Sequence, residues 1–202
     1  MGTLCGWSLG FLDPVNQHYD QRFSKTRVSL QVAKGIAMTS AKRDKTSASE
    51  GLFHEAERYE EKGDLRNAFK CLLAAAQLGH VSSQINLGNF YASGTGVRRN
   101  LEKAAHWYKK AYKRGDNCGA LNLAIDRRNQ GNIKSAVIWF KKAIAMNCGE
   151  ACIELAKIYK TRRGGQKAAA TLLRQALRMS RDNISDSAKE QAESLLKEAA
   201  NI

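Results

Sequence analysis

The chain has 202 residues, 43% of them hydrophobic and 26% charged, a balance that supports one folded domain with its own core and excludes a disordered polar chain. Its formal net charge of +14 points to an acidic partner, whether nucleic acid, an acidic protein or an anionic membrane surface. No apolar run approaches the roughly 20 residues of a membrane-spanning helix, and five cysteines without an export signal predict free thiols in a reducing, cytoplasmic setting.

The first segment, residues 1–49, reads as a flexible leader. Its start, MGTLCGWSLGFLDPV, has no cationic n-region and is interrupted by Asp13 and Pro14, so it is not a secretory signal. Glycine at position 6 removes the myristoylation motif. Thr39 to Ser49 is polar and poor in apolar residues, whereas Trp7, Leu9, Phe11 and Leu12 could dock on the remainder or form a short binding motif. Met38 is a second candidate start.

From residue 50 to 180 the chain repeats itself. Ala104, Trp107, Tyr108 and Ala111 fall on Ala136, Trp139, Phe140 and Ala143, then on Ala169, Leu172, Leu173 and Ala176, and backward on Ala68, Cys71, Leu72 and Ala75. Leu87-Gly88 aligns with Leu123-Ala124 and Leu155-Ala156. Four units result, each long enough for two helices, and the three- and four-residue spacing puts the apolar side chains on one helical face. Alanine at fixed positions lets neighbouring helix backbones approach closely. Gly63, Gly79, Gly94, Gly115, Gly131 and Gly164 stand where helices should stop, and Asp64, Asn100, Asp116 and Asn132 stand where N-caps belong. The third segment, residues 181–202, contains a charged amphipathic helix suited to capping an open end. Charge is uneven along the chain: twelve Lys and Arg face four Asp and Glu in residues 116–180, and three face five in residues 181–202.

No motif in these elements carries catalysis or a cofactor. Gly94-Thr-Gly96 with Arg98 and Arg99 lacks the third glycine of a dinucleotide loop and the Lys-Ser/Thr of a P-loop, and a helical pattern precedes it, so it reads as a turn. The histidines at 18, 54, 80 and 106 have no ligand or catalytic spacing. Cys148 and Cys152, four apart, lack two further ligands for a zinc site and read as small packing residues. The paired cations Lys109-Lys110, Lys113-Arg114, Arg127-Arg128, Lys141-Lys142 and Arg162-Arg163 read as solvated helix faces, without the interleaved aromatics of a nucleic-acid platform.

The stretch containing Leu87, Gly88, Tyr91, Gly94, Gly96, Val97, Asn100, Ala104, Trp107, Tyr108, Ala111 and Gly115 resembles the Sel-one-like repeat, a longer-looped relative of the tetratricopeptide repeat. The other three units lack the Gly-x-Gly-Val loop and look closer to plain tetratricopeptide repeats. The resemblance implies an all-α, right-handed solenoid of about four helix-turn-helix repeats, a protein-binding scaffold with no catalytic residues. It further implies that the first helix of each pair lines a concave groove. In that register the groove residues are Glu57, Glu60 and Glu61, then Asn89, Ala92 and Ser93, then Ile125, Arg128 and Asn129, then Lys157, Lys160 and Thr161. The groove would run from acidic to basic and suit an extended, charge-asymmetric peptide or protein. Asn89 and Asn122 match positions that clamp a terminal carboxylate in some relatives, but Glu150 and Glu154 occupy the basic positions and argue against that use. The expected role is an adaptor, an immunity-type or a regulatory protein, and the competing reading is a basic nucleic-acid-associated repeat module.

Overall fold

The computed structural model describes the backbone of residues 27–200 and the side chains of residues 43–198. Cys5, Trp7, Leu9, Phe11, Leu12 and His18 lie outside the described residues. Among the described residues there are nine α-helices and no strand: α1 (Arg27–Glu61), α2 (Leu65–Leu78), α3 (Val81–Ser93), α4 (Leu101–Lys113), α5 (Asn117–Asn129), α6 (Ile133–Ala145), α7 (Gly149–Lys160), α8 (Gln166–Leu177) and α9 (Asp186–Ala200). The chain divides into two units, residues 1–47 and 48–202. In the first, residues 27–47 are helical. Helix α1 runs through residue 49, where composition placed the end of a flexible leader. Thr39 to Ser49 contains neither glycine nor proline, so its polarity does not oppose helix.

In the second unit each helix from α2 onward packs on its chain neighbour, and α9 packs on both α8 and α7. The repeat seen in sequence is a repeat of burial. Ala68, Leu72 and Ala75 of α2 are buried, as are Ala104, Tyr108 and Ala111 of α4, Ala136, Phe140 and Ala143 of α6, and Ala169, Leu173 and Ala176 of α8. Small residues bring the backbones together, and each fully buried Leu or Phe between them contributes about 1.5–3 kcal/mol. Ala56 near the end of α1 shares a core with Ala68 and Leu72 of α2 and, beyond them, with Leu87, Tyr91 and Trp107. Further cores follow, one around Phe140 and Leu155 and one around Cys152, Leu173 and Ala192. A stack of helix pairs with cores shared between neighbours is an all-α solenoid.

The helix ends form as their residues dictate. The carboxylate or amide oxygens of Asp64, Asn100, Asp116 and Asn132 accept the backbone N–H of Asn67, Lys103, Cys118 and Ser135 at 2.8–3.1 Å. His80 does the same for α3, with the Ser83 N–H donating to its Nδ1 at 3.3 Å, a cap that residue preference alone does not announce. Two glycines are required by contact. A Cβ on Gly88 would lie 2.4 Å from the ring of Tyr108, so the missing side chain lets α3 and α4 close. Gly96 has φ +63°, and a Cβ there would lie 2.2 Å from the Leu65 carbonyl oxygen, so this loop rests on the start of α2.

Candidate functional site

The first helices of the pairs, α3, α5 and α7, carry most of the residues expected to face a partner. On α3, Asn89 and Ser93 are exposed. The Asn89 side-chain oxygen accepts from the Tyr108 hydroxyl at 2.8 Å and from the Asn122 amide of α5 at 3.2 Å. Ser93 donates to the Asn89 carbonyl at 2.8 Å. On α5, Arg128 pairs with Glu154 of α7, and Asn129 is exposed beside it. Glu154 also accepts from Lys157 at 2.6 Å, one turn further along α7. Lys160 completes the line with a 2.6 Å bond to Glu198 of α9. A ladder of polar side chains therefore crosses from α3 to α5, from α5 to α7 and from α7 to α9.

This ladder changes the electrostatics read from the chosen residues alone. Arg128, Lys157 and Lys160 are balanced in part by Glu154 and Glu198, so the end expected to be basic is a mixed-charge surface. Glu57, Glu60 and Glu61 on α1 are exposed, and Glu57 is 2.9 Å from His54 Nδ1. Though Glu60 is exposed, partial desolvation of its carboxyl, with the neighbouring Glu57 charge adding to it, pushes it above its ordinary value.

Two hollows open beside the cationic residues. One, of about 310 Å³, lies among α7, α8 and α9, with Ala156, Ala169, Ala170, Leu173 and Leu195 as its apolar lining and Lys157, Lys160 and Gln166 as its polar groups. The second, of about 510 Å³, is lined by Arg128, Ile133, Lys157, Ile158, Thr161 and Arg162. Lys157 belongs to both. Sequence reasoning placed these lysines in the groove but missed the apolar cleft, because Leu195 enters it from α9, which read only as a cap.

The repeat-signature residues have structural duties. Leu87, Tyr91, Ala104, Trp107 and Tyr108 share one core, Ala111 is buried, and Gly94, Gly96 and Gly115 take the positive φ of turns. Arg99 donates from Nε to the Ala92 carbonyl at 2.9 Å, so the glycine loop ties back onto α3. Burial pushes the Cys148 thiol up to about 12 and the Cys152 thiol to about 11, which keeps both protonated at neutral pH. Cys71, Cys118, Cys148 and Cys152 are all free. Among the described residues no group of three His, Cys, Asp or Glu side chains could hold a metal ion, and no helix is long and apolar enough to cross a membrane.

Stacked helix pairs, cores made of repeat-signature residues and a polar ladder along the first helices define a helical-repeat scaffold. The Sel1 repeat profile matches residues 51–80, 81–116 and 126–148. The chain therefore carries Sel1-like repeats over these three segments. The family thus extends to two segments outside the 81–116 unit that lack the Gly-x-Gly-Val loop and look in sequence closer to plain tetratricopeptide repeats. A Sel1 repeat protein from Oxalobacter formigenes is similar in fold, with 20% identity, a TM-score of 0.57 and coverage of 76% of this chain and 72% of that one. A protective antigen of uropathogenic Escherichia coli with an SLR fold is 21% identical over 86% of this chain and 41% of its own, at a TM-score of 0.46. A chitin synthase regulator of Saccharomyces cerevisiae is 46% identical over 48 residues, which are 24% of this chain and 7% of the regulator's length. Sel1 repeat proteins generally mediate protein–protein interaction, and the repeat is typically a non-enzymatic scaffold.

Proposed function

We propose that this protein is an adaptor or regulator that binds an extended segment of a partner protein along the face formed by α3, α5 and α7. The observation that carries this reading is the cleft among α7, α8 and α9, where an apolar lining lies directly beside Lys157 and Lys160. Such a cleft takes a small apolar side chain and offers charge to an acidic neighbour in the same segment. Binding would draw Lys157 or Lys160 partly away from Glu154 or Glu198. The acidic residues Glu57, Glu60 and Glu61 would meet a basic part of a longer partner. An immunity-type role is the special case in which the bound partner is a toxin.

The test begins with affinity capture from the source cell, identification of the partner and measurement of its affinity for purified variants. Ala170→Trp fills the cleft without altering charge, and Lys157→Glu with Lys160→Glu reverses its polar side. Each change is expected to weaken binding by about tenfold or more while the helical circular dichroism signal is retained. A partner that binds all three proteins equally well does not use this face.

A further inference from the structure

Folding re-sorts the charge of this chain in a way its linear distribution conceals. The second helices of the pairs, α2, α4, α6 and α8, contain eleven Lys and Arg and a single carboxylate, Glu102. The other acidic residues of the second unit lie on α1, α5, α7, α9 or in the turns. Among the described residues every ion pair falls outside these four helices. Their cations are therefore not neutralised by the fold.

Six of them also share one side. Lys109, Lys141 and Arg174 occupy the same repeat position on α4, α6 and α8, opposite the buried alanines, and all three are exposed. Lys113, Lys134 and Lys167 extend the same stripes along their helices and are exposed as well. In the middle of the α6 stripe, one turn from both Lys134 and Lys141, stands Ile138, 55% exposed. The indole faces of α4 and α6 are occupied. Lys110 sits 4.3 Å over the Trp107 ring, and Lys142 sits 4.0 Å over that of Trp139.

We infer that the outer face of α4, α6 and α8 is a docking surface for an anionic lipid bilayer. Repeated, mostly lysine cations attract a diffuse field of headgroup charge without needing bidentate geometry. An isolated exposed isoleucine among them suits shallow contact with acyl chains, and a phosphate backbone offers it nothing. Occupied aromatic rings leave no stacking platform for single-stranded nucleic acid. The surface is separate from the first-helix face, so a partner protein and a membrane could be held together.

The test is co-sedimentation of the full chain with phosphatidylcholine vesicles, with or without about 30% phosphatidylserine, at about 0.1 M and about 0.5 M salt. Binding is expected only with the anionic lipid and only at low salt. Lys109→Glu with Lys141→Glu and Arg174→Glu should lower it by about tenfold or more. The same charge change at Arg58→Glu, Lys62→Glu and Arg181→Glu should lower it by about twofold at most, since part of any loss is long-range. Ile138→Ser should weaken vesicle binding about threefold while leaving retention on heparin unchanged. Circular dichroism establishes that each variant is folded. Equal binding to neutral vesicles, equal loss in both triple variants, or no binding at low salt overturns the inference. Tighter binding to a duplex nucleic acid, abolished by the outer-face variant and indifferent to Ile138→Ser, also overturns it and assigns the face to nucleic acid.

Discussion

Asp126 sits where its environment opposes its charge. It sits in α5 with Oδ2 buried and without a hydrogen-bond partner. Burial raises its pKa above the ordinary 3.8, and the charges of Arg127 and Arg99 offset this only in part. The consequence for stability has a definite sign. At neutral pH the carboxylate is ionised in the unfolded chain and is less favourable in the folded one. As pH falls through the raised folded value, the folded state takes up the proton first and gains relative stability, and this gain is complete below 3.8. Asp126→Asn removes the charge at every pH. Its melting temperature should exceed that of the wild type at pH 7, and the difference should shrink steadily as melts are taken toward pH 4. A variant less stable than wild type at pH 7 would mean that the two arginines dominate the site.

Among the elements, the α3–α4 loop separates what sequence can show from what it cannot. The glycines marked helix ends because a positive φ excludes most side chains, and Gly63, Gly79, Gly94, Gly115, Gly131 and Gly164 all have one. The N-caps at Asp64, Asn100, Asp116 and Asn132 were legible for an equally local reason, since a short polar side chain bonds its own backbone two or three residues on. The same holds for the buried Ala104, Tyr108 and Ala111 set, which helical periodicity alone displays. Contacts between distant segments were not legible. Nothing near Gly96 in sequence indicates that its α-carbon rests on the Leu65 carbonyl, and nothing near Lys157 indicates Leu195 across a cleft. Glu198 meeting Lys160 is hidden for the same reason. This distinction predicts a difference between two glycines that look alike. Gly94→Ala would put a Cβ 3.3 Å from that of Arg99, a tight contact that a shift of a few tenths of an ångström relieves, on top of a positive-φ penalty of about 1 kcal/mol. Gly96→Ala would bring a Cβ to 2.2 Å of backbone that cannot swing aside, so its cost should exceed about 2 kcal/mol. Urea unfolding of the two variants measures the gap, and equal destabilisation would place the Gly96 loop away from α2.

At the scale of the whole second unit, stability should pass from neighbour to neighbour, because each core is built by adjacent helix pairs. Helix α9 is the element on which this can be tested. Ala192 and Ile184 are buried against Cys152, Ile153 and Leu173. The Gly149 N–H donates to the Asn183 carbonyl at 2.7 Å, and the Ser185 N–H donates to Glu150 at 3.0 Å. Removing residues 182–202 takes away these bonds and exposes the far side of α7 and α8. The loss of buried Ile184 alone corresponds to about 1.5–3 kcal/mol, whereas Lys160→Ala, which removes only the half-exposed pair with Glu198, should cost roughly 0–1 kcal/mol. Hydrogen exchange on the truncated chain should therefore show protection falling by about tenfold or more in α7 and α8. Protection in α3 and α4 should stay within about twofold of its original value if coupling is local, because the α5–α6 and α7–α8 pairs separate them from α9. Uniform loss across all helices would show that the solenoid folds as one cooperative block and that α9 stabilises every pair in it.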